Sequence, residues 1–124
     1  MLLNREEFFE ETALQTERVP VGKGEIIVSE IGATDYLELY SKYKCRDEDG
    51  NVDSVKFTNV LILLSVVNEG GERFFTDDDL SRLARTKPKV YLEIANAAKR
   101  VNGLSGDEKN SEPSLTDSLP LTSV

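Results

Sequence analysis

A mainly helical α+β single domain, with an N-terminal β-hairpin, four to five helices and a disordered C-terminal tail, is the architecture this 124-residue chain encodes. Two stretches rich in β-branched residues flank Gly22-Lys23-Gly24, the pattern of a hairpin. Later segments repeat apolar residues at helical spacing. From Ser105 onward the chain turns to Ser, Pro, Thr and acidic residues with no usable period, the composition of a segment that cannot bury enough apolar surface to fold. The folded unit is therefore expected over 1–104 and the acidic tail over 105–124.

Along the chain, Asn4 precedes Arg5-Glu6-Glu7-Phe8-Phe9-Glu10-Glu11 and reads as the N-cap of a short helix, with Glu7 at the capping-box position. Its Phe pair is available to dock on a neighbour. Glu17 to Val21 and Glu25 to Ile31 form the hairpin strands around a three-residue glycine loop, and Pro20, which has no N–H for a ladder, places the first strand at an edge. Gly32 ends the hairpin. Thr34, with Glu38 close by, starts a helix through about Lys44 in which Tyr36, Tyr40 and Tyr43 share one face. After the charged loop 46–51, Asp53 caps a segment from Ser54 to Val67 that is apolar on nearly every side near its end. A buried strand fits its Val-Leu-Ile-Leu-Leu core too, but Val55, Phe57 and the total length favour the central helix.

Asn68-Glu69-Gly70-Gly71-Glu72 is a tight turn in which both glycines supply positive φ, and Phe74 and Phe75 return the chain to the core. Thr76 then caps a helix from Asp77 to Arg85, with Asp77, Asp78 and Asp79 at the positive end of its dipole and Leu80, Leu83 and Ala84 facing inward. Thr86-Lys87-Pro88 breaks that helix. Pro88 fits the first turn of the next, whose stripe Tyr91, Ile94, Ala95, Ala98 and Val101 runs to a Gly103 C-cap.

Composition narrows the chemistry. A formal net charge of −8 repels nucleic acid and anionic membrane, both of which need Lys and Arg to neutralise phosphate. The longest apolar run, Val60 to Leu64, is far short of a membrane span, and the acidic start of the chain has no signal-peptide h-region, so a cytoplasmic protein is expected. With no histidine there is no imidazole relay and no imidazole metal ligand, and the single Cys45, flanked by Lys44 and Arg46, reads as an ordinary thiol. The acidic loop Asp47 to Asp53 fails the register of a calcium loop, because Gly50 at the glycine position puts Cys45 at the first ligand and Lys56 at the bidentate one. Asp77, Asp78 and Asp79 point in different directions as consecutive residues and read as a helix start rather than a magnesium site. Gly22-Lys23-Gly24 lacks the spacing of a phosphate loop. No cofactor is expected. The rival classes are a small carboxylate-dependent metal-binding enzyme and an acidic DNA-mimic inhibitor. The candidate protein-binding residues are Tyr36, Tyr40, Tyr43, Phe74 and Phe75: the tyrosine stripe reads first as core and second as a partner surface.

The order of these features resembles the tail assembly chaperones of long-tailed (siphovirus, lambda-like) bacteriophages. The residues that carry the likeness are the early Val19-Pro20 hairpin, Gly-Glu-Ile-Ile-Val-Ser-Glu-Ile followed by a helix, Leu-Leu-Ser-Val-Val-Asn-Glu-Gly-Gly-Glu-Arg-Phe-Phe-Thr-Asp-Asp-Asp-Leu, and Ile94 to Asn102. It covers roughly Val19 to Leu104; the helix before Thr16 has no counterpart in it. The resemblance implies a non-enzymatic protein that binds the tape measure protein, keeps its apolar helices soluble, helps recruit subunits of the major tail tube protein, self-associates, and leaves before the virion is finished. It also implies a longer product made by a programmed −1 ribosomal frameshift. Glu108-Lys109-Asn110 can be encoded by GAA-AAA-AAC, which contains the slippery string A-AAA-AAC just past the expected folded unit.

Overall fold

The computed structural model describes residues 1–104. In chain order these form α1 (Arg5–Glu11), β1 (Thr16–Val21), β2 (Gly24–Ser29), α2 (Ala33–Ser41), α3 (Ser54–Ser65), β3 (Val66–Val67), a 3₁₀ turn at Asp77–Asp79, α4 (Leu80–Leu83) and α5 (Pro88–Val101). This is an α+β fold with an N-terminal hairpin and five α-helices, in agreement with the sequence. The expected tail, and Glu108-Lys109-Asn110 within it, lies outside the described residues.

The sheet is antiparallel in the order β1-β2-β3, so β1 with Pro20 is an edge strand. Val21 pairs with Gly24, which leaves a two-residue turn, Gly22-Lys23, where a three-residue loop was expected. Gly22 sits at φ +57, the glycine-first conformation that lets a two-residue turn follow the twist of its strands.

Helix α3 is the centre of the molecule. Val60 to Ser65 are all buried, because α2, α4 and α5 each pack against this helix. α5 also covers β1 and β2, and its buried Ala95, Ala97 and Ala98 let the backbones approach closely. The expected helix from Ser54 to Val67 ends two residues early. Val66 turns to extended backbone, and Val66 and Val67 pair with Val28 and Ile27 as β3; stiff β-branched side chains suit that pleated edge better than another helical turn.

Three other boundaries differ from expectation. α2 is capped by Gly32, not Thr34, and stops at Ser41. It stops because Lys44 adopts φ +53 and the helix end closes through a 6→1 bond from the Tyr43 N–H to the Glu38 carbonyl at 3.0 Å, with the Cys45 N–H reaching back to the Leu39 carbonyl at 3.1 Å. In the Gly-Gly turn only Gly71 has positive φ (+82); the turn is held instead by Asn68, whose side-chain oxygen accepts the N–H groups of Gly70 (2.9 Å) and Glu72 (3.0 Å). The helix expected from Asp77 to Arg85 is a 3₁₀ turn followed by the single turn of α4, so Leu83 is buried, Leu80 half-buried and Ala84 exposed. Among the described residues no helix is long and apolar enough to cross a membrane.

The caps at α1 and α3 are as expected. Asn4 Oδ1 accepts the Glu7 N–H at 2.8 Å while Glu7 Oε1 accepts the Asn4 N–H at 2.9 Å, and Asp53 Oδ1 accepts the Lys56 N–H at 3.1 Å.

Candidate functional site

An apolar groove of about 520 Å³ opens where the turn end of the hairpin meets α4 and α5. Val21 and Ile26 form one wall, Leu83, Val90 and Ile94 another, and Phe74 and Phe75 close an end. The groove exists because β3 runs back through the Asn68 turn: the Phe74 N–H donates to the Val66 carbonyl at 3.1 Å, which sets the Phe pair beside the sheet. The two rings meet edge to face with centroids 5.0 Å apart. Phe74 is 55% exposed and Phe75 half-buried, so Phe74 does not return the chain to the core as the sequence implied. The reason is positional: Leu83, Ile94 and the end of α3 already fill the interior, and Phe74 is left at the rim.

One cation, Arg82, and one carboxylate, Asp79, line this groove beside Thr86. Arg82 reaches Asp79 only at 4.0 Å. The walls contributed by Val21, Ile26 and Val90 were not legible in the sequence, since they come together only through the hairpin's packing on α5.

The tyrosine stripe divides. Tyr36 is 50% exposed, Tyr40 is half-buried and stacks edge to face on Tyr36 with the Arg46 guanidinium 4.7 Å above its ring, and Tyr43 is buried beyond the end of α2. Burial pushes the Tyr40 phenol up from its ordinary range. Tyr43 donates its hydroxyl to Asp77 Oδ1 at 2.6 Å. Arg73 completes this hub, donating to the Tyr43 hydroxyl (3.3 Å) and pairing with Asp77 (3.4 Å), Asp35 and Glu38 (both 3.6 Å). The hub ties α2 to the 3₁₀ turn behind the Phe pair. Nothing in the sequence marks Arg73 for it.

Asp47, Asp53 and Asp79 serve local structure. Asp47 Oδ1 accepts the N–H groups of Asp49 and Asn51, both at 2.9 Å; Asp53 caps α3; Asp79 Oδ2 accepts the Thr76 N–H at 2.8 Å. Among the described residues no group of three or more His, Cys, Asp or Glu side chains is placed to hold a metal ion. Cys45 is wholly buried, and burial pushes its thiol up, toward the unreactive protonated form.

No protein-family model and no curated protein matches this sequence. A solved structure does: that of the bacteriophage HK97 tail assembly chaperone, with a TM-score of 0.50 and 13% sequence identity over 78% of this chain and 86% of that one. The likeness is one of fold. It agrees with the architecture to which the sequence pattern pointed.

Proposed function

We propose that this chain is a non-enzymatic phage tail assembly chaperone. It binds the tape measure protein in the host cytoplasm, keeps the apolar helices of that protein soluble, helps recruit tail tube subunits, and is absent from the finished virion. The observation that carries this reading is the apolar groove between hairpin, α4 and α5, whose size and walls suit one face of an amphipathic helix. The likeness in fold to the HK97 protein supports it from a separate direction. The net negative charge of the chain keeps such a complex dispersed.

Co-expression with the tape measure gene tests the reading. The tape measure protein is expected to become soluble and to co-purify with this chain, and Phe74→Glu together with Val90→Glu is expected to abolish co-purification while the variant stays folded. A tape measure protein that remains insoluble and never co-purifies ends the proposal. The longer product made by a −1 slip at the codons of Glu108-Lys109-Asn110 is a separate part of it. A gene without a slippery string between the Leu104 codon and the stop codon removes that part.

A further inference from the structure

Asn102 is the one asparagine of the chain that precedes a glycine, and that order is chemically reactive. Glycine has no Cβ to crowd its nitrogen, which can therefore approach the amide carbon of the side chain before it. The Gly103 nitrogen gives its proton to hydroxide and bonds to Asn102 Cγ, the Cγ–Nδ2 bond breaks, and Nδ2 leaves as ammonia with a proton from water. A second water opens the resulting five-membered imide at either carbonyl, to aspartate or to isoaspartate. In sum an amide is hydrolysed, ammonia is released, and nothing is oxidised.

The closed fold keeps every participant out of this reaction. At ψ 5 the Gly103 nitrogen eclipses the backbone nitrogen of Asn102, whereas ring closure needs it to eclipse Cβ, the atom that carries Cγ. The Gly103 N–H, whose proton must be lost, donates to the Arg100 carbonyl at 3.1 Å in a cap with Gly103 at φ +69. The amide to be attacked is held at both of its polar atoms. Oδ1 accepts the Ile31 N–H at 2.9 Å, and Nδ2 donates to the Ala98 carbonyl at 2.8 Å and the Ser65 hydroxyl at 3.3 Å. Swinging the Gly103 nitrogen round to Cγ breaks the helix-end closure, so the end of α5 must open first. Asn102 is nevertheless only half-buried and Gly103 exposed, at a helix terminus, where opening costs least.

We propose that Asn102 is a fold-gated deamidation site: a closed chain keeps the amide, and a chain whose α5 terminus has opened converts, without an enzyme, to aspartate or isoaspartate at position 102. The change is one-way. Aspartate keeps an acceptor for the Ile31 N–H but has no donor for Ser65, and it sets a carboxylate oxygen against the Ala98 carbonyl. Isoaspartate adds a methylene to the main chain, so the cap and the cross-link to Ile31 and Ser65 no longer seat together.

Peptide-level mass spectrometry of the full chain, incubated in mildly alkaline buffer with and without guanidinium chloride, tests this. In denaturant the peptide holding Asn102-Gly103 is expected to gain the mass that replacing NH2 by OH adds. In native buffer the same gain is expected to be roughly tenfold slower or more, because only the opened fraction reacts. Gly103→Ala, compared in denaturant where folding plays no part, is expected to slow the gain roughly tenfold by crowding the attacking nitrogen. The isoaspartate form, separated from the unmodified chain and returned to native buffer, is expected to melt several degrees below unmodified chain taken through the same denaturant. Equal rates at Asn102 with and without denaturant overturn the gating, and no gain at Asn102 in denaturant overturns the site. An isoaspartate form that melts with the unmodified chain overturns the loss of the cross-link.

Discussion

Tyr43 combines three roles that the sequence shows only as one ring in a stripe: it is core, it is a hydrogen-bond donor, and it sets the ionisation of Asp77. Its hydroxyl is the leading cause of a lowered Asp77 carboxyl, with Lys42 and Arg73 adding to it. A carboxyl held below its unfolded value stabilises the fold at pH above the ordinary carboxylate range, near 4, and that contribution disappears as pH falls through the lower, folded value. The stability gap between wild type and Asp77→Asn is therefore expected to shrink as pH is lowered below about 4, and with the Asp77 side chain 46% exposed it should stay under roughly 1 kcal/mol at neutrality. Tyr43→Phe is expected to cost about 1 kcal/mol in urea melts and to raise the Asp77 titration midpoint seen by NMR. An unmoved midpoint would show that the lysine and arginine, not the phenol, hold the carboxyl. Phe74 and Leu63 make a second contrast. Leu63→Ala removes a fully buried side chain and is expected to cost 2–5 kcal/mol, while Phe74→Ala, at the groove rim, costs about 1 kcal/mol or less and weakens partner binding. The aromatic pair was legible as a pair, but which ring is inside depends on how the Asn68 turn aims it, and that is tertiary.

Among the elements, α1, α3 and α5 were legible because each carries its own punctuation: Asn4 with Glu7, Asp53, and Pro88 with Gly103. The ends that were missed are those where another element decides. β3 replaces the last two residues of the expected central helix because β2 offers an unpaired edge, and Lys44 ends α2 in a conformation that its side chain does not advertise. Asn102 shows the same limit at a helix terminus. It is the C-cap of α5, where the sequence pointed to Gly103, and its side chain also cross-links three elements: Oδ1 accepts the Ile31 N–H at 2.9 Å, and Nδ2 donates to the Ala98 carbonyl at 2.8 Å and to the buried Ser65 hydroxyl at 3.3 Å. Asn102→Ala strands the Ile31 N–H in a half-buried setting and is expected to destabilise by 1–3 kcal/mol, with faster hydrogen exchange at Ile31. Asn102→Asp keeps the acceptor but loses both donor bonds, and is expected to retain protection of the Ile31 amide. If both variants exchange alike, the cross-link to Ile31 has no energetic weight.

For the whole molecule, the described core residues run from Val19 to Ala98, and α5 is closed by bonds that involve nothing further along: the Gly103 N–H donates to Arg100 and the Leu104 N–H to Lys99, with Gly103 at φ +69. Glu17 adds a tie at the same end, accepting from Arg100 Nε at 3.0 Å and from its Nη2, so α5 is clamped to β1 within a turn of its terminus. The clamp holds the Glu17 carboxyl below its usual range, so it too weakens in acid. Among the described residues, the core and the last helix cap are complete by Leu104. A chain ended after Leu104 is thus expected to unfold in a single transition with its midpoint within about 2 °C of the full chain, a shift that corresponds to well under 1 kcal/mol for a domain of this size. Such an outcome is what a ribosomal slip in the codons of Glu108-Lys109-Asn110 would require, because it would exchange everything downstream and leave the groove untouched. A loss of several degrees on truncation would mean that later residues pack on the domain, and a frameshifted product would then have to rebuild that contact with a different sequence.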